Sequence, residues 1–265
     1  MSTVVSSDGT TIAYDRIGAG APVVMVSPAF SHRAFDPQAA ELAAFLATRF
    51  TVFTYDRRGR GDSGDTAPYA VEREIEDLAA VIGGAGGSAR VYGMSSGAVL
   101  ALRAAAHGLP ISRLALYEAP LVVDDGRPPQ PADFPARLDA LLAAGRRGDA
   151  VELFMTQAVQ VPAEMVAQMR QAPIWPAFED VAHTLAYDTA IMAGVMTGDP
   201  SALKPWSSIV IPTLVVDGGA SPAWMHHAAL ALADVLPDAR SQTLEGQTHD
   251  VAPEVLGAVL TEFFA

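Results

Sequence analysis

The sequence predicts an α/β fold, in which a mainly parallel sheet of eight strands carries helices on both faces. Short apolar segments that suit strands alternate with longer segments of helical periodicity towards both ends of the chain. The 265 residues are 50% hydrophobic, which is enough to bury one large core. Between residues 119 and 206 the alternation stops and no strand signal occurs. The pattern therefore indicates an α/β core with a helical cap inserted after strand six.

Eight segments have the length and the apolar or alternating character of strands. They cover residues 3–6, 10–17, 23–26, 52–55, 90–92, 114–117, 213–216 and 241–244. The first two are joined by Ser7, Asp8 and Gly9, which predicts a hairpin. Apolar spacings of three and four predict helices over residues 37–47, 71–82, 96–107, 223–236 and 253–264.

The inserted segment divides the chain into a core at 1–118 and 207–265 and a cap at 119–206. A proline-rich stretch at 126–131 opens the cap, and apolar residues then recur at helical spacing. Five of the nine methionines fall in it. Such a face, with Met155 and Trp175, either lines an adaptable apolar pocket or only docks the cap on the core.

Composition excludes several classes of function. The formal net charge of −13 disfavours nucleic acid and anionic membranes as partners. The chain has no cysteine, which excludes disulfides, a cysteine nucleophile and thiolate metal sites. No metal-binding cluster or phosphate loop indicates a cofactor. Neither a secretory signal nor an uncharged span of membrane length is present, so we expect a cytoplasmic protein acting on a small molecule, with an oligomeric state that the pattern leaves open.

Ser95 is the candidate nucleophile. Residues 91–100, VYGMSSGAVL, place a GxSxG motif between a short apolar strand and an alanine-rich helix. Gly93 and Gly97 remove side chains that would clash in the sharp turn. The helix that follows directs its unpaired N-terminal amides at negative charge that develops beside the serine.

His249 is the candidate general base, because a serine hydroxyl needs a neighbouring base at neutral pH. It follows the last predicted strand, and the carboxyl ends of parallel strands share the edge that presents Ser95. The other histidines suit solvated or capping roles: His107 lies at a helix end, His183 in the cap, and His226 and His227 on a helix.

Four features together resemble the α/β-hydrolase superfamily over essentially the whole chain. They are the GMSSG elbow, His249, the position of the cap and the glycine-rich segment 55–64, YDRRGRGDSG. That segment also fits GxGxxG through Gly59, Gly61 and Gly64. No helix follows it directly, so nucleotide binding is rejected.

The acid of the triad departs from the superfamily pattern, because Ser221 stands where most superfamily members carry an aspartate. Glu118 follows the sixth strand, as in some haloalkane dehalogenases and zearalenone-type lactone hydrolases, which this chain resembles. There it would hold the imidazole of His249. Asp217 and the absence of any working acid are the alternatives.

The oxyanion loop also departs from the superfamily pattern, since Pro28 has no amide hydrogen. The donor is then the amide of Ala29, or of Phe30 if the register differs by one, together with the amide of Ser96.

These residues predict a serine hydrolase that cleaves an ester or lactone of a small to medium apolar substrate through an acyl-enzyme. Phe30, Met94, Met155 and Trp175 are the expected substrate contacts. A dehalogenase or epoxide hydrolase would need an aspartate nucleophile. A ligand receptor of the same fold, and a carbon–carbon hydrolase or perhydrolase with the same triad, remain as alternatives.

Overall fold

The computed structural model describes residues 1–128 and 130–265, and its centre is one eight-stranded sheet. The strands are β1 (Ser2–Val5), β2 (Thr11–Gly18), β3 (Pro22–Val26), β4 (Thr51–Tyr55), β5 (Ala89–Met94), β6 (Ile111–Tyr117), β7 (Thr213–Gly218) and β8 (Ala239–Leu244). Their order across the sheet is β1-β2-β4-β3-β5-β6-β7-β8.

Only β2 runs against its neighbours in the described sheet. It pairs antiparallel with β1 and β4, and all later pairs are parallel. The turn between β1 and β2 is closed by Ser6, whose amide donates to the carbonyl of Thr10 at 2.8 Å. The predicted hairpin and the predicted fold class are both confirmed, and the carboxyl ends of the seven strands other than β2 lie at one edge.

Helices cover both faces of the sheet. They are α1 (Pro37–Leu46), α2 (Val71–Gly84), α3 (Ser96–Ala106), α9 (Ala223–Val235) and α10 (Pro253–Phe264). One face packs against α2, α3 and α9, and the other packs against α1 and α10. The strands between them are apolar on both sides, as a doubly covered parallel sheet requires. Within the described residues, no helix is long and apolar enough to cross a bilayer.

The segment between β6 and β7 is helical. It contains α4 (Phe134–Ala143), α5 (Arg147–Leu153), α6 (Ala163–Met169), α7 (Trp175–Asp180) and α8 (Leu185–Ile191), with a π-helical turn at Phe154–Ala158 and 3₁₀ turns at Ala182–Thr184 and Pro200–Ser208. Apolar side chains between Phe134 and Leu185 form a third buried cluster, whereas Ile191, Val195, Leu203 and Trp206 join the cluster on the face of the sheet that packs against α2, α3 and α9. The division into a core and a cap at 119–206 stays our proposal.

Two glycines permit the sharp turn between β5 and α3. A Cβ on Gly97 would lie 2.4 Å from the carbonyl oxygen of Val26, and one on Gly93 would lie 2.6 Å from that of Gly97. Both contacts are with backbone, which cannot move aside as a flexible side chain does. Helix α3 therefore starts in direct contact with β3 because these positions lack side chains.

We expect Gly97→Ala to lower the free energy of unfolding by about 1–3 kcal/mol, because the added methyl overpacks rigid backbone. Gly83 lies in α2 with nothing within 4 Å of an added Cβ, so Gly83→Ala is the matched control. It should raise stability by about 0.5–1 kcal/mol through lower unfolded-chain entropy. Urea denaturation measures both, and equal effects would contradict this account.

Candidate active site

Ser95 lies at the junction of β5 and α3 in a strained backbone conformation. Its φ of 54° and ψ of −126° are unusual for a residue with a side chain. Its amide donates to the carbonyl of Tyr117 on β6 at 3.0 Å, which fixes the turn to the neighbouring strand. Among the described non-glycine residues with positive φ, Phe30, Ser95 and Glu118 all lie at this edge of the sheet.

Glu118 and His249 are joined by a hydrogen bond. Nδ1 of His249 lies 2.7 Å from Oε2 of Glu118, whose side chain is fully buried at the end of β6. The other carboxylate oxygen accepts the amide of Gly218 at 2.9 Å. The loop that carries His249 is anchored by Tyr117, whose hydroxyl donates to the carbonyl of Thr248 at 2.5 Å. The imidazole is thus oriented from one side and remains 45% exposed on the other.

The pKa of Glu118 is below its usual value. Burial alone would raise the pKa, but hydrogen bonding from His249 and from the Gly218 amide stabilises the carboxylate more strongly. The hydroxyl of Ser221 faces the same carboxylate and adds to the lowering, although its geometry falls short of a hydrogen bond. Glu118 is therefore an anion at neutral pH and can stabilise a protonated imidazole.

Asp217 points away from His249. Its carboxylate is buried and lies 3.0 Å from Nδ1 of His226 on α9. The hydroxyl of Thr243 on β8 donates to its other oxygen, also at 3.0 Å. Both contacts hold the carboxylate of Asp217 against α9 and β8. Of the two candidate carboxylates, Glu118 is therefore the one that lies next to His249.

Ser95 and His249 border the same cavity, which has a volume of about 480 Å³. No hydrogen bond joins their side chains in the described structure. Such bonds are often long in the absence of substrate and tighten when it binds. Glu118, Ser96 and Ala29 border the cavity as well.

Two backbone amides beside Ser95 are free to bind an oxyanion. The amides of Ser96 and Ala29 donate to no acceptor among the described residues. Phe30 does not border the cavity, because its ring packs edge-on against Phe154 and Phe178 in the cap. Of the two registers that the sequence left open, Ala29 is the residue next to the cavity.

The four expected substrate contacts lie outside this cavity, which corrects the sequence interpretation. Trp175 and Met155 are buried in the apolar cluster of the cap, and Phe30 packs against the same cluster. Met94 borders a separate cavity of about 310 Å³ on the α1 side of the sheet. Met155 and Trp175 thus pack the cap itself, which is the alternative that the sequence also allowed, whereas Phe154, Met192 and Met196 border the cavity.

A buried network of charges, which sequence reasoning missed, lies beside the site. Asp188 on α8 is fully buried and pairs with Arg57 at 2.8 Å and with Arg60 at 2.6 Å. It also accepts the hydroxyl of Ser96 at 2.7 Å. Arg57 pairs in addition with buried Glu74 at 2.6 Å, so two guanidinium groups face two carboxylates. The only sequence signal was a lone carboxylate within the apolar segment 185–191.

The same arginines hold the loop that carries Ala29. Arg60 donates to the carbonyl of Pro28 at 2.5 Å, and Arg57 donates to that of Ser27 at 3.3 Å. The Pro28 carbonyl and the Ala29 amide belong to one planar trans peptide, so they point in opposite directions. Binding the carbonyl on one side therefore directs the amide hydrogen of Ala29 away from Arg60.

The pKa of Asp188 is below its ordinary value. Burial would raise it, but the nearby charges of Arg57 and Arg60 outweigh that effect, with help from the Ser96 hydroxyl. The carboxylate is thus held ionised without contact with water.

The other histidines lie outside the candidate triad. His107 sits at the end of α3 with Nδ1 3.0 Å from the carbonyl of Arg103. His183 faces Asp65 at 3.6 Å, and His227 lies 2.6 Å from Asp124. The pKa of His183 is lowered by burial. These contacts agree with structural roles for them.

Comparison with known proteins assigns the chain to a family. The model described as the alpha/beta hydrolase family matches residues 9–257, which confirms the resemblance seen in the sequence. The chain is similar to an alpha/beta hydrolase from Sphaerobacter thermophilus DSM 20745, with 62% identity over 100% of both chains and a TM-score of 0.91.

Two more distant crystal structures share the fold. One is a thermophilic esterase from Thermogutta terrifontis, with 20% identity over 99% of this chain and 97% of the other and a TM-score of 0.73. The second is an enol-lactonase from Burkholderia xenovorans LB400, with 21% identity over 99% of each chain and a TM-score of 0.67. No curated protein matches the chain.

We expect Asp188→Asn to lower the free energy of unfolding by about 3–5 kcal/mol, because it leaves buried Arg60 without a counter-charge and Arg57 with Glu74 alone. Asp149→Asn is the control. Asp149 also pairs with two arginines, but at the surface, so its loss should cost less than about 1 kcal/mol. Urea denaturation at neutral pH gives both values, and a loss below 1 kcal/mol at Asp188 would refute the role of the buried pair.

The lowered pKa of Asp188 also predicts an acid dependence. A carboxylate whose pKa is lower in the folded than in the unfolded state stabilises the fold above the unfolded value of about 3.9, and this is lost as pH falls through the folded pKa. The unfolding free energy of the wild type should therefore drop below about pH 4, and it should drop less steeply in Asp188→Asn. If the unfolding free energies of the wild type and of Asp188→Asn fall equally with pH, other carboxylates determine the acid dependence of stability.

Proposed function

The chain belongs to the alpha/beta hydrolase family, and on that basis we propose that it is a serine hydrolase that cleaves esters or lactones through an acyl-enzyme. The observation that carries the proposal is the 2.7 Å hydrogen bond between His249 and Glu118, beside the same cavity as Ser95. Ser95, Glu118 and His249 border one cavity and supply the kinds of group that acyl transfer requires, which supports the proposal.

In the proposed reaction the Ser95 hydroxyl attacks the carbonyl carbon while Nε2 of His249 takes its proton. Nδ1 keeps its own proton, which is hydrogen-bonded to Glu118, so that nitrogen stays a donor and the other is free to act as the base. The negative charge of Glu118 stabilises the imidazolium that forms. His249 then passes the proton to the leaving alcohol as the carbon–oxygen bond breaks.

The tetrahedral intermediate carries a negative oxygen, which the amides of Ser96 and Ala29 bind in this proposal. Neither amide has to leave a protein acceptor first, so the site needs little reorganisation. Water, activated by His249, then attacks the acyl-enzyme and releases the acid and the free serine. The alcohol and acid products together account for the substrate and one water.

A fluorophosphonate probe tests the nucleophile. We expect it to label the wild-type protein at Ser95, because phosphorus takes the place of the carbonyl carbon, and to leave Ser95→Ala unlabelled. Ser208→Ala changes an exposed serine just after the cap and should label at the wild-type rate. Mass spectrometry of the intact protein reads the result. If folded wild type takes up no phosphonate, the fold serves as a ligand receptor instead.

Two substitutions separate the candidate acids. Glu118→Gln keeps the shape but removes the charge beside the imidazole, so we expect kcat for ester hydrolysis to fall about 10³- to 10⁴-fold. Asp217→Asn should change kcat only a few-fold, because Asp217 contacts His226 and Thr243 instead. Circular dichroism checks that both variants fold. The reverse pattern of losses would assign the acid to Asp217.

A further inference from the structure

Arg127 is a buried cation that borders the same cavity as Ser95 and lacks a carboxylate partner among the described residues. Only 4% of the residue is exposed. One terminal nitrogen donates to the carbonyl of Ala158 at 3.0 Å, and Nε has no hydrogen-bond partner among the residues that the structure describes. The guanidinium stacks over the ring of Trp224, 4.8 Å from its centroid.

The other arginines buried to this degree in the described structure are all neutralised. Arg57 pairs with Glu74 and Asp188, and Arg60 pairs with Asp188. Arg58 pairs with Asp77 at 2.7 Å. Burying a guanidinium without a counter-charge is costly, and proteins rarely do so without a reason. Arg127 is the exception, although acidic residues greatly outnumber basic ones in this chain.

No carboxylate that borders the cavity is available to Arg127 instead. Glu118 is held by His249, Asp188 by two arginines, and Asp250 by the amide of Gln38. Burial lowers the pKa of Arg127, but from so high a starting value that the group stays charged at neutral pH. The cavity therefore contains one uncompensated positive charge next to the proposed catalytic groups.

We propose that Arg127 binds a carboxylate on the substrate, so that the protein acts on esters or lactones that also carry an acid group. The proposal rests on the proposed hydrolase function for the reaction, but not for the binding. A single guanidinium matches a single negative charge. A phosphate dianion would leave excess negative charge in an already acidic protein, so the carboxylate is the better complement. The Trp224 ring covers one face of the guanidinium, so in this proposal the carboxylate binds at a terminal nitrogen on its edge.

Matched esters test the proposal. Monoethyl glutarate and ethyl valerate share the same ester and chain and differ in a terminal carboxylate or methyl. The distance from Ser95 to Arg127 sets which chain length fits best, so the assay covers the half-esters from malonate to adipate. Each half-ester is compared with its methyl-terminated counterpart, and hydrolysis is followed in a pH-stat. We expect wild type to favour at least one half-ester in kcat/KM by about 30-fold or more. A wild type that favours no half-ester in the series would overturn the proposal.

Substitutions assign the preference to Arg127. Arg127→Met keeps the volume and removes the charge, so kcat/KM for the preferred half-ester should fall about 30-fold or more, mainly through KM, while the neutral ester is unaffected. Arg127→Lys should recover part of the loss. Arg137→Met is the control, since Arg137 is half-exposed on α4 and does not border the cavity. An equal loss on both esters in Arg127→Met would mean a structural role only.

Calorimetric binding of the free dicarboxylates keeps this test independent of catalysis. The wild type and Arg137→Met should bind the best dicarboxylate alike, and Arg127→Met at least about 10-fold more weakly. Binding that depends on Arg127, without hydrolysis of any ester, would refute the proposed hydrolase and leave the carboxylate site standing. Ester hydrolysis together with dicarboxylate binding that does not depend on Arg127 would support the proposed hydrolase and refute the carboxylate site.

Discussion

The buried pairing of Asp188 with Arg57 and Arg60 is the constraint on which the arrangement of the site depends. Asp188 belongs to α8, between β6 and β7, whereas the arginines follow β4. A charge buried alone would cost several kcal/mol, so the burial of Asp188 and Arg60 depends on their pairing, while Arg57 is neutralised by Glu74 as well. Packing of apolar side chains tolerates small shifts, but paired charges with directional hydrogen bonds do not. The position of α8 over the end of β4 is therefore set by charge as well as by shape.

The same charged network helps to position both backbone amides beside the proposed nucleophile. On one side, Arg60 holds the carbonyl of Pro28 and so orients the amide of Ala29. On the other, Asp188 accepts the hydroxyl of Ser96, the first residue of α3. Donors that stabilise a transition state are effective when they are held in place before the reaction, because no energy is then needed to orient them. One carboxylate thus couples both donors to the cap.

The sequence predicted the sheet, most of the helices and the meeting of Glu118 with His249, because these follow from local periodicity and from the rule that parallel strands end at one edge. Asp188 could not be found in this way. Its partners lie about 130 positions away, and no spacing connects them. The substrate contacts failed for a different reason. Periodicity identifies Met155 and Trp175 as buried, but it does not say whether they face a cavity or the interior of the cap.

The proposed acid follows β6 and not β7, and the geometry of the sheet explains why a carboxylate after either strand can reach the same place. β6 and β7 are adjacent and parallel, so a carboxylate after either strand is only about 4.8 Å from the position of the other. A glutamate has one methylene more than an aspartate, which helps the carboxylate of Glu118 reach Nδ1 of His249. A second ionised carboxylate there would repel the first and raise its pKa. Asp217 instead faces His226, and Ser221, a neutral residue, faces Glu118. A neutral serine at the usual acid position is thus compatible with the proposal that Glu118, after β6, is the acid of the triad.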